Sequence, residues 1–364
     1  MKILLQELFK GKKLNSEEAK LALLSIGKGE LNNALIASFL TVFMMRGIEG
    51  QELEGLRTAM LELCNPIDLG DVSTIDMCGT GGDGKNTFNI STTSSFVVAA
   101  SGVKVAKHGN YGVSSGVGSS NVIEYLGYNF KGEAAVLKSE IENTGITFFH
   151  APLFHPAMRF VGPVRKELGL KTFFNMIGPL VNPSKPNFQL TGVYDPSILP
   201  LYDHVLKNNL ERYAILHSTD VYDEISLTSD FHMYSHNGIE KLSPADIGLN
   251  SLKPKDIGGG DTVEDAAIIL QNILSGKGTI AQSHVVAANA GVAISVAKNV
   301  KVKEVTKEEK SRVDSLTSYQ KEIELRKLDQ QLSRLNTLRA INTGELYTFR
   351  GKFKMLSRDY GMGK

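Results

Sequence analysis

Apolar and polar positions recur along this chain with two different periods, and the change between them divides it. After Asn15-Ser16-Glu17-Glu18, a capping residue followed by acids, apolar positions fall at Ala19, Leu21, Leu23, Leu24 and Ile26 until Gly27. That spacing predicts a helix. A second helix is expected over Leu31 to Met45 and a third over Gln51 to Leu63. The second is apolar on nearly every side, so other helices or a second subunit must cover it. From Ser73 onward, short apolar runs alternate with helical stretches, the pattern of an α/β domain with buried strands. Strands are predicted at Thr74 to Met77, Val103 to Lys107, Thr147 to Phe149, Tyr213 to His217 and Glu224 to Thr228. Between Ala151 and Pro186, Pro152, Pro156, Pro163, Pro179, Pro183 and Pro186 punctuate the chain, as a crossover or hinge would. Helices are expected again at Thr262 to Leu274 and Thr279 to Ala297, and a charged one from about Lys307.

Composition narrows the class. With 364 residues, 42% of them hydrophobic, the chain is long enough for about two domains with cores of their own. Forty Lys and Arg face 39 Asp and Glu, a net charge of +1, which argues against a surface basic throughout and makes nucleic acid an unexpected partner. The run Leu31 to Met45 has 15 residues, short of the roughly 20 that span a bilayer, and the N-terminus lacks a signal-peptide core. A cytoplasmic protein is expected. Two cysteines, Cys64 and Cys78, build neither a disulfide framework nor a thiolate zinc site, and small buried hydrophobes are the simpler role for both. The segment from about residue 331 to 364 holds seven Lys or Arg against two acids and reads as a basic extension.

The chemistry concentrates in residues 79 to 118, which hold nine of the 35 glycines. The strand Ile75-Asp76-Met77-Cys78 runs into Gly79-Thr80-Gly81-Gly82-Asp83-Gly84, and Asn89-Ile90-Ser91-Thr92 then opens an apolar helix. Glycines directly after a strand let backbone N–H groups approach a ligand, and the helix start adds an anion site. The spacing matches neither the Walker loop nor the G-x-G-x-x-G fingerprint. A second strand ends in Lys107-His108-Gly109-Asn110, followed by Ser114, Ser115, Ser119 and Ser120. A cation, an imidazole, an amide and four hydroxyls thus gather at a strand's carboxyl end, where α/β sheets bind ligands. Asp223-Glu224 offers hard oxygen ligands of the kind that hold Mg²⁺ jointly with substrate phosphates.

Together these segments resemble the anthranilate phosphoribosyltransferase family. The matching stretches are Cys78 to Gly84, Asn89 to Thr92, Lys107 to Asn110, Gly118-Ser119, His155-Pro156-Ala157-Met158, Phe174-Asn175, Gly178-Pro179-Leu180, Asn182-Pro183 and Asp223-Glu224, in order across roughly residues 1 to 325. The resemblance implies a small helical domain joined by hinges to a larger α/β domain with a central, mostly parallel sheet flanked by helices. The expected division is residues 1–70, with further helices from about 160–185, against 71–155 and 186–364. It also implies a homodimer through the N-terminal helices, and transfer of the 5-phosphoribosyl group of 5-phosphoribosyl-1-pyrophosphate (PRPP) to the amine of anthranilate, in tryptophan biosynthesis.

Carried over position by position, the resemblance assigns Gly79, Gly82, Asp83, Thr87, Asn89, Ser91, Thr92, Lys107 and Ser119 to PRPP. It assigns Gly79, His108, Asn110, His155 and Arg165 to anthranilate, with Arg165 toward the carboxylate, and Ser91, Asp223 and Glu224 to about two Mg²⁺ ions per subunit. No residue is assigned as a catalytic base. The chain departs from the family at Tyr111-Gly112, where Arg-Ala is usual, at Val117, where a serine hydroxyl is usual, and at Lys171, where Arg is usual. Two other functions fit the same architecture. A pyrimidine-nucleoside phosphorylase would not need the acidic pair with Mg²⁺, and a nucleic-acid-binding relative would lose that pair and be basic overall.

Overall fold

The computed structural model describes residues 1–112, 116–302 and 304–306. The charged helix expected from Lys307, the basic segment from residue 331, and Ser114 and Ser115 lie outside the described residues.

Four helices open the chain: α1 (Lys2–Phe9), α2 (Ser16–Gly27), α3 (Asn33–Arg46) and α4 (Gly50–Glu62). Asn15 and Glu18 form the capping box at the start of α2. Asn32 accepts the Leu35 N–H at 3.0 Å, so α3 begins two residues later than its apolar run. Leu23, Ile26, Ile36, Phe39, Leu40, Leu53 and Leu56 are all but completely buried in one core.

The rest of the chain alternates. In order come β1 (Ile75–Met77), α5 (Ile90–Ala100), β2 (Val105–Gly109), α6 (Ser119–Tyr125), α7 (Ala134–Thr144), β3 (Ile146–His150), α8 (Ala151–Phe154), α9 (Met158–Leu168) and α10 (Phe174–Ile177). Then follow β4 (Phe188–Gly192), α11 (Leu199–Lys207), β5 (Arg212–Ser218), β6 (Phe231–Ser235), β7 (Gly238–Leu242), α12 (Val263–Leu274) and α13 (Ile280–Lys298). The proline-rich segment is therefore not bare linker. Val161 and Val164 of α9, with Phe173, Phe174 and Ile177, pack into the same core as α1 to α4, as do Tyr202 of α11 and Ile215 of β5.

The strands form one sheet in the order β3-β2-β1-β4-β5-β6-β7, parallel from β3 to β5 and antiparallel at β6 and β7. The chain steps outward from β1 to β2 to β3, then crosses back over β1 to lay down β4 and β5. Connections after β1 and β4 therefore leave in opposite directions, and a crevice opens between their carboxyl ends.

The expected strands at β1, β2, β3 and β5 are present within about two residues of their predicted bounds. Glu224 to Thr228 is not a strand. Its polar-apolar alternation is real, but Leu227 takes positive φ (60°), which an extended ladder cannot contain, and its backbone pairs largely with side chains, with Leu227 O accepting the Leu252 N–H. Three strands were not anticipated. In β4 every residue is buried, and the polar ones are satisfied: Gln189 Nε2 donates to Pro179 O at 2.7 Å and Thr191 Oγ1 to Cys78 O at 2.6 Å. β6 and β7 form a hairpin whose outer strand is exposed over most of its length.

α13 carries the second core. It is buried without interruption from His284 to Val296 and packs against α5, β1, β4 and β5. By length and composition it would also suffice to cross a bilayer, but 72% of it lies inside the fold, so it is a core helix. At 19 residues it is longer than the Leu31 to Met45 run, but Gln282, Ser283, His284, Asn289 and Ser295 interrupt its apolar sequence. Thr279 caps it and Asn299, at φ 55°, ends it.

Candidate active site

Three loops meet in the crevice: residues 78–89 after β1, residues 110–112 and 116–118 after β2, and 219–230 after β5. The first continues the β1–β4 pairing beyond the strand ends, with Cys78 N–H to Leu190 O at 3.2 Å and Thr80 N–H to Gly192 O at 2.9 Å. The third lies directly on this junction. A Cβ at Gly192 would stand 1.3 Å from the Asp223 carbonyl oxygen, and one at Gly79 would stand 2.6 Å from Asp223 Oδ2. Only glycine at both positions allows the carboxylate to sit so close to the sheet.

Asp223 Oδ2 accepts the Gly81 N–H at 2.7 Å, and Glu224 Oε1 accepts the Ser91 N–H at 2.8 Å. Adjacent carboxylates thus serve one site because they lie on a loop, where the alternation of a strand does not force them apart. Glu224 occupies the N-terminus of α5, where a helix favours negative charge. Burial, with the Asp83 carboxylate adding repulsion, holds the Asp223 carboxyl above the usual range, and burial with Asp223 beside it does the same to Glu224. Gly79, Ser91, Asp223 and Glu224 line one cavity with Met77, Leu190 and Asn289.

Lys107 lies beneath this cavity. Its side chain is 2% exposed, its Nζ donates to Met77 O and stands 3.4 Å from Ser91 Oγ, and its charge favours ionised Glu224. Lys107 and Ser119 also line a second, smaller cavity with Gly109 and Phe130. Ser119 opens α6 with its Oγ 3.5 Å from Asn110 O, and Asn89, at the start of α5, donates to Val117 O at 3.4 Å. The first and second loops are thereby joined. Thr92 is buried, and Thr87 is half-buried with its backbone paired to Gly258. Gly82 O accepts Lys171 Nζ at 2.7 Å, and that ammonium also lies 4.4 Å from the Tyr194 ring centre. Lys171 follows α9, so this contact ties the glycine loop to the helical side of the molecule. Tyr111 turns away, its hydroxyl 3.2 Å from Glu124 Oε2.

A second group lies toward the helices. His108, ending β2, and His155, after α8, are buried and meet edge to face at 5.3 Å. Burial, with His155 adding repulsion, pushes the His108 imidazole down to about 3, and burial pushes His155 down to about 4, so both are neutral near pH 7. His108 is seated from below: Asp76 Oδ1 accepts its backbone N–H at 3.0 Å, and burial lifts that carboxyl to about 6 against the pull of Lys107. Arg165 donates to Asn175 Oδ1 at 3.3 Å and lies 5.4 Å from the Phe174 ring centre. Its Nε and the Nε2 of His108 are buried with no hydrogen-bond partner among the described residues. The Arg165 Nε–H suits an acceptor from a ligand, whereas the neutral His108 ring has a single N–H, and its Nε2 suits a ligand group of either kind.

Neither cysteine joins this chemistry. Burial pushes the Cys78 thiol up to about 12, and Cys64 is buried with its thiol donating to Leu61 O.

Asn289 was not singled out from the sequence. Its signal is there, a lone amide inside Val285-Val286-Ala287-Ala288-Asn289-Ala290, because a buried polar side chain must find partners.

Comparison with known proteins bears on both groups. A profile described as the helical bundle domain of a glycosyl transferase family matches residues 2–64, and one for its a/b domain matches residues 71–317. A protein of Christiangramia forsetii named anthranilate phosphoribosyltransferase is 51% identical over 330 residues, 91% of this chain and all of that one. One of the same name from Bacteroides fragilis is 46% identical over 296 residues, 81% of this chain and 89% of that one. Among solved structures, anthranilate phosphoribosyltransferase of Thermus thermophilus has a TM-score of 0.82 at 31% identity, covering 90% of this chain and 99% of that one. The Saccharomyces cerevisiae enzyme in complex with PRPP and Mg has a TM-score of 0.79 at 25% identity, covering 91% and 97%.

Proposed function

Because the chain belongs to the anthranilate phosphoribosyltransferase family, we propose that it transfers the 5-phosphoribosyl group of PRPP to the amine of anthranilate, releasing pyrophosphate in the second step from chorismate to tryptophan. The observation that carries this reading is the convergence of Asp223 and Glu224 on the glycine loop and the start of α5, in one cavity with Ser91.

The residues fit Mg²⁺. Their donors are hard oxygens, and burial together with neighbouring carboxylates raises the pKa of both Asp223 and Glu224, a cost of ionisation that a divalent cation would offset. Ser91, Asp223 and Glu224 would hold about two ions between protein and pyrophosphate. When bound, Mg²⁺ supplies positive charge against the departing anion. Gly79, Gly82, Asp83, Thr87, Asn89, Ser91, Thr92, Lys107 and Ser119 bind PRPP. The loop backbone approaches the pyrophosphate, and Lys107 stabilises the loop from below with its charge. Breaking the C1–oxygen bond leaves positive charge on the ribose and adds negative charge to pyrophosphate, so positioning and anion stabilisation dominate. Gly79, Asn110, His108, His155 and Arg165 receive anthranilate. Arg165 directs its free Nε to the carboxylate, and the two neutral imidazoles form a wall that does not repel the positive ribose. Anthranilate's amine is weakly basic, and no group is needed as a strong base.

The same reading divides the chain into a helical body, residues 1–70 with about 160–185, and an α/β body, 71–155 and 186 onward. The shared packing of α1 to α4 with α9 supports it. It also makes the enzyme a cytoplasmic homodimer through the N-terminal helices, supported by the exposed Ile3, Phe9, Leu21 and Met45 there. Light scattering on the purified protein at micromolar concentration should give twice the chain mass; a monomer would remove the dimer from the reading.

The direct test mixes the enzyme with PRPP, Mg²⁺ and anthranilate and follows loss of anthranilate fluorescence. Folded protein at high concentration with no loss overturns the proposal. The double variant Asp223→Asn, Glu224→Gln should lose most turnover together with the dependence on Mg²⁺; unchanged activity would remove both residues from the metal role.

A further inference from the structure

The loop that carries the acidic pair has no strand partner for its backbone, yet residues 225 to 227 are completely buried. Buried peptide groups need partners; the Leu252 N–H donates to Leu227 O at 2.8 Å, and side chains from two elements hold Glu224 and Ile225. Asn289 Oδ1 accepts the Ile225 N–H at 3.1 Å while its Nδ2 donates to Ile225 O at 2.9 Å and to Val285 O, one turn back in α13, also at 2.9 Å. The amide therefore reads both polar groups of one residue, as a strand neighbour would, and is itself anchored to its own helix. On the other side of the same stretch, Ser218 Oγ, at the end of β5, donates to Glu224 O at 2.6 Å. Glu224 is thus held by its carbonyl, by its carboxylate on the Ser91 N–H, and through the next residue by Asn289.

We propose that Asn289 is a positioning residue for the metal pair: by fixing the peptide of Ile225 it sets where the Glu224 carboxylate stands relative to Asp223 and Ser91. The inference rests on the metal role proposed for Asp223 and Glu224. α13 is the rigid member of this arrangement, buried over His284 to Val296, so the amide ties the peptide of Ile225 to a fixed element. In an Asn289→Ala variant the two polar groups of Ile225 are left buried and unpartnered, and the loop relieves this by shifting, which spreads the carboxylates.

The test measures binding rather than turnover. Binding of PRPP to the enzyme without anthranilate is followed by calorimetry as Mg²⁺ is titrated, alongside melting temperature. Asn289→Ala should raise the Mg²⁺ concentration for half-maximal PRPP binding about tenfold, with saturating Mg²⁺ restoring binding. Asn289→Asp, which keeps the acceptor for the Ile225 N–H and loses the Nδ2 donors, should shift it in the same direction and serves if the alanine variant does not fold. Val292→Ala, in the same helix and fully buried, should lower the melting temperature and leave the Mg²⁺ requirement unchanged. An unchanged requirement in either folded Asn289 variant, or an equal shift in Val292→Ala, overturns the proposal. Glu224→Gln separates the two levels. If it shifts the requirement while the Asn289 variants do not, only the positioning role fails; if it does not, the metal role itself fails.

Discussion

At the scale of single residues, the candidate anthranilate side is set by burial without charge. His108 and His155 are kept neutral because an imidazolium there would be desolvated, and at His108 also repelled by its neighbour His155. Folding lowers the His108 pKa from the ordinary 6.5 to about 3, so unfolded protein binds more protons than folded protein between those values. Stability from this residue is complete above pH 6.5 and drains away as pH falls toward 3, by up to roughly 1.4 kcal/mol per pH unit. Urea unfolding of wild type and His108→Gln at pH 7.0 and 5.0 should show wild type losing more stability than the variant; parallel pH profiles would remove the effect. Arg165 makes the opposite contribution, a permanent cation with one donor unused. Arg165→Ala should raise the KM for anthranilate by roughly 10- to 100-fold, the range for losing a charged hydrogen bond, and leave the KM for PRPP unchanged within about twofold.

At the scale of elements, the site depends on how loops are held to one another. The Lys171 ammonium on Gly82 O joins the glycine loop to the segment after α9. Lys171→Met keeps the aliphatic stem and the packing on Tyr194 but releases that carbonyl. The KM for PRPP should rise about three- to tenfold with the melting temperature changed little; steady-state kinetics with PRPP varied would show it. Much of this level was legible from the sequence. The capping residues Asn15, Thr262 and Thr279 announced their helices, and strand, glycine loop and helix were apparent in the order Ile75, Gly79, Ile90. Two things were hidden. Leu227 in left-handed geometry cannot be told from a strand leucine by its alternation, and the group that holds the neighbouring Ile225 peptide, Asn289, is 64 residues from it in sequence. Likewise β4 looked like loop, since its buried Gln189 and Thr191 are satisfied by carbonyls that only the fold brings near.

At the scale of the whole molecule, a nearly neutral chain is expected to bind a substrate that is strongly anionic. Residues 79 to 118 include three lysines and one acid, so most of the stabilisation comes from oriented N–H groups, hydroxyls and metal ions, not from a field of cations. Without substrate, the start of α5 is already partnered, because Glu224 Oε1 accepts the Ser91 N–H. Pyrophosphate arriving at that helix start therefore meets an N–H that already has a partner, and the free enzyme does not present it to stray anions. The affinity for PRPP at fixed Mg²⁺ should therefore fall only about two- to threefold between 50 and 200 mM KCl, far less steeply than for a site built from many cations. Calorimetry across that range would decide it, and a tenfold loss would mean that the helix end is open to whichever anion comes first.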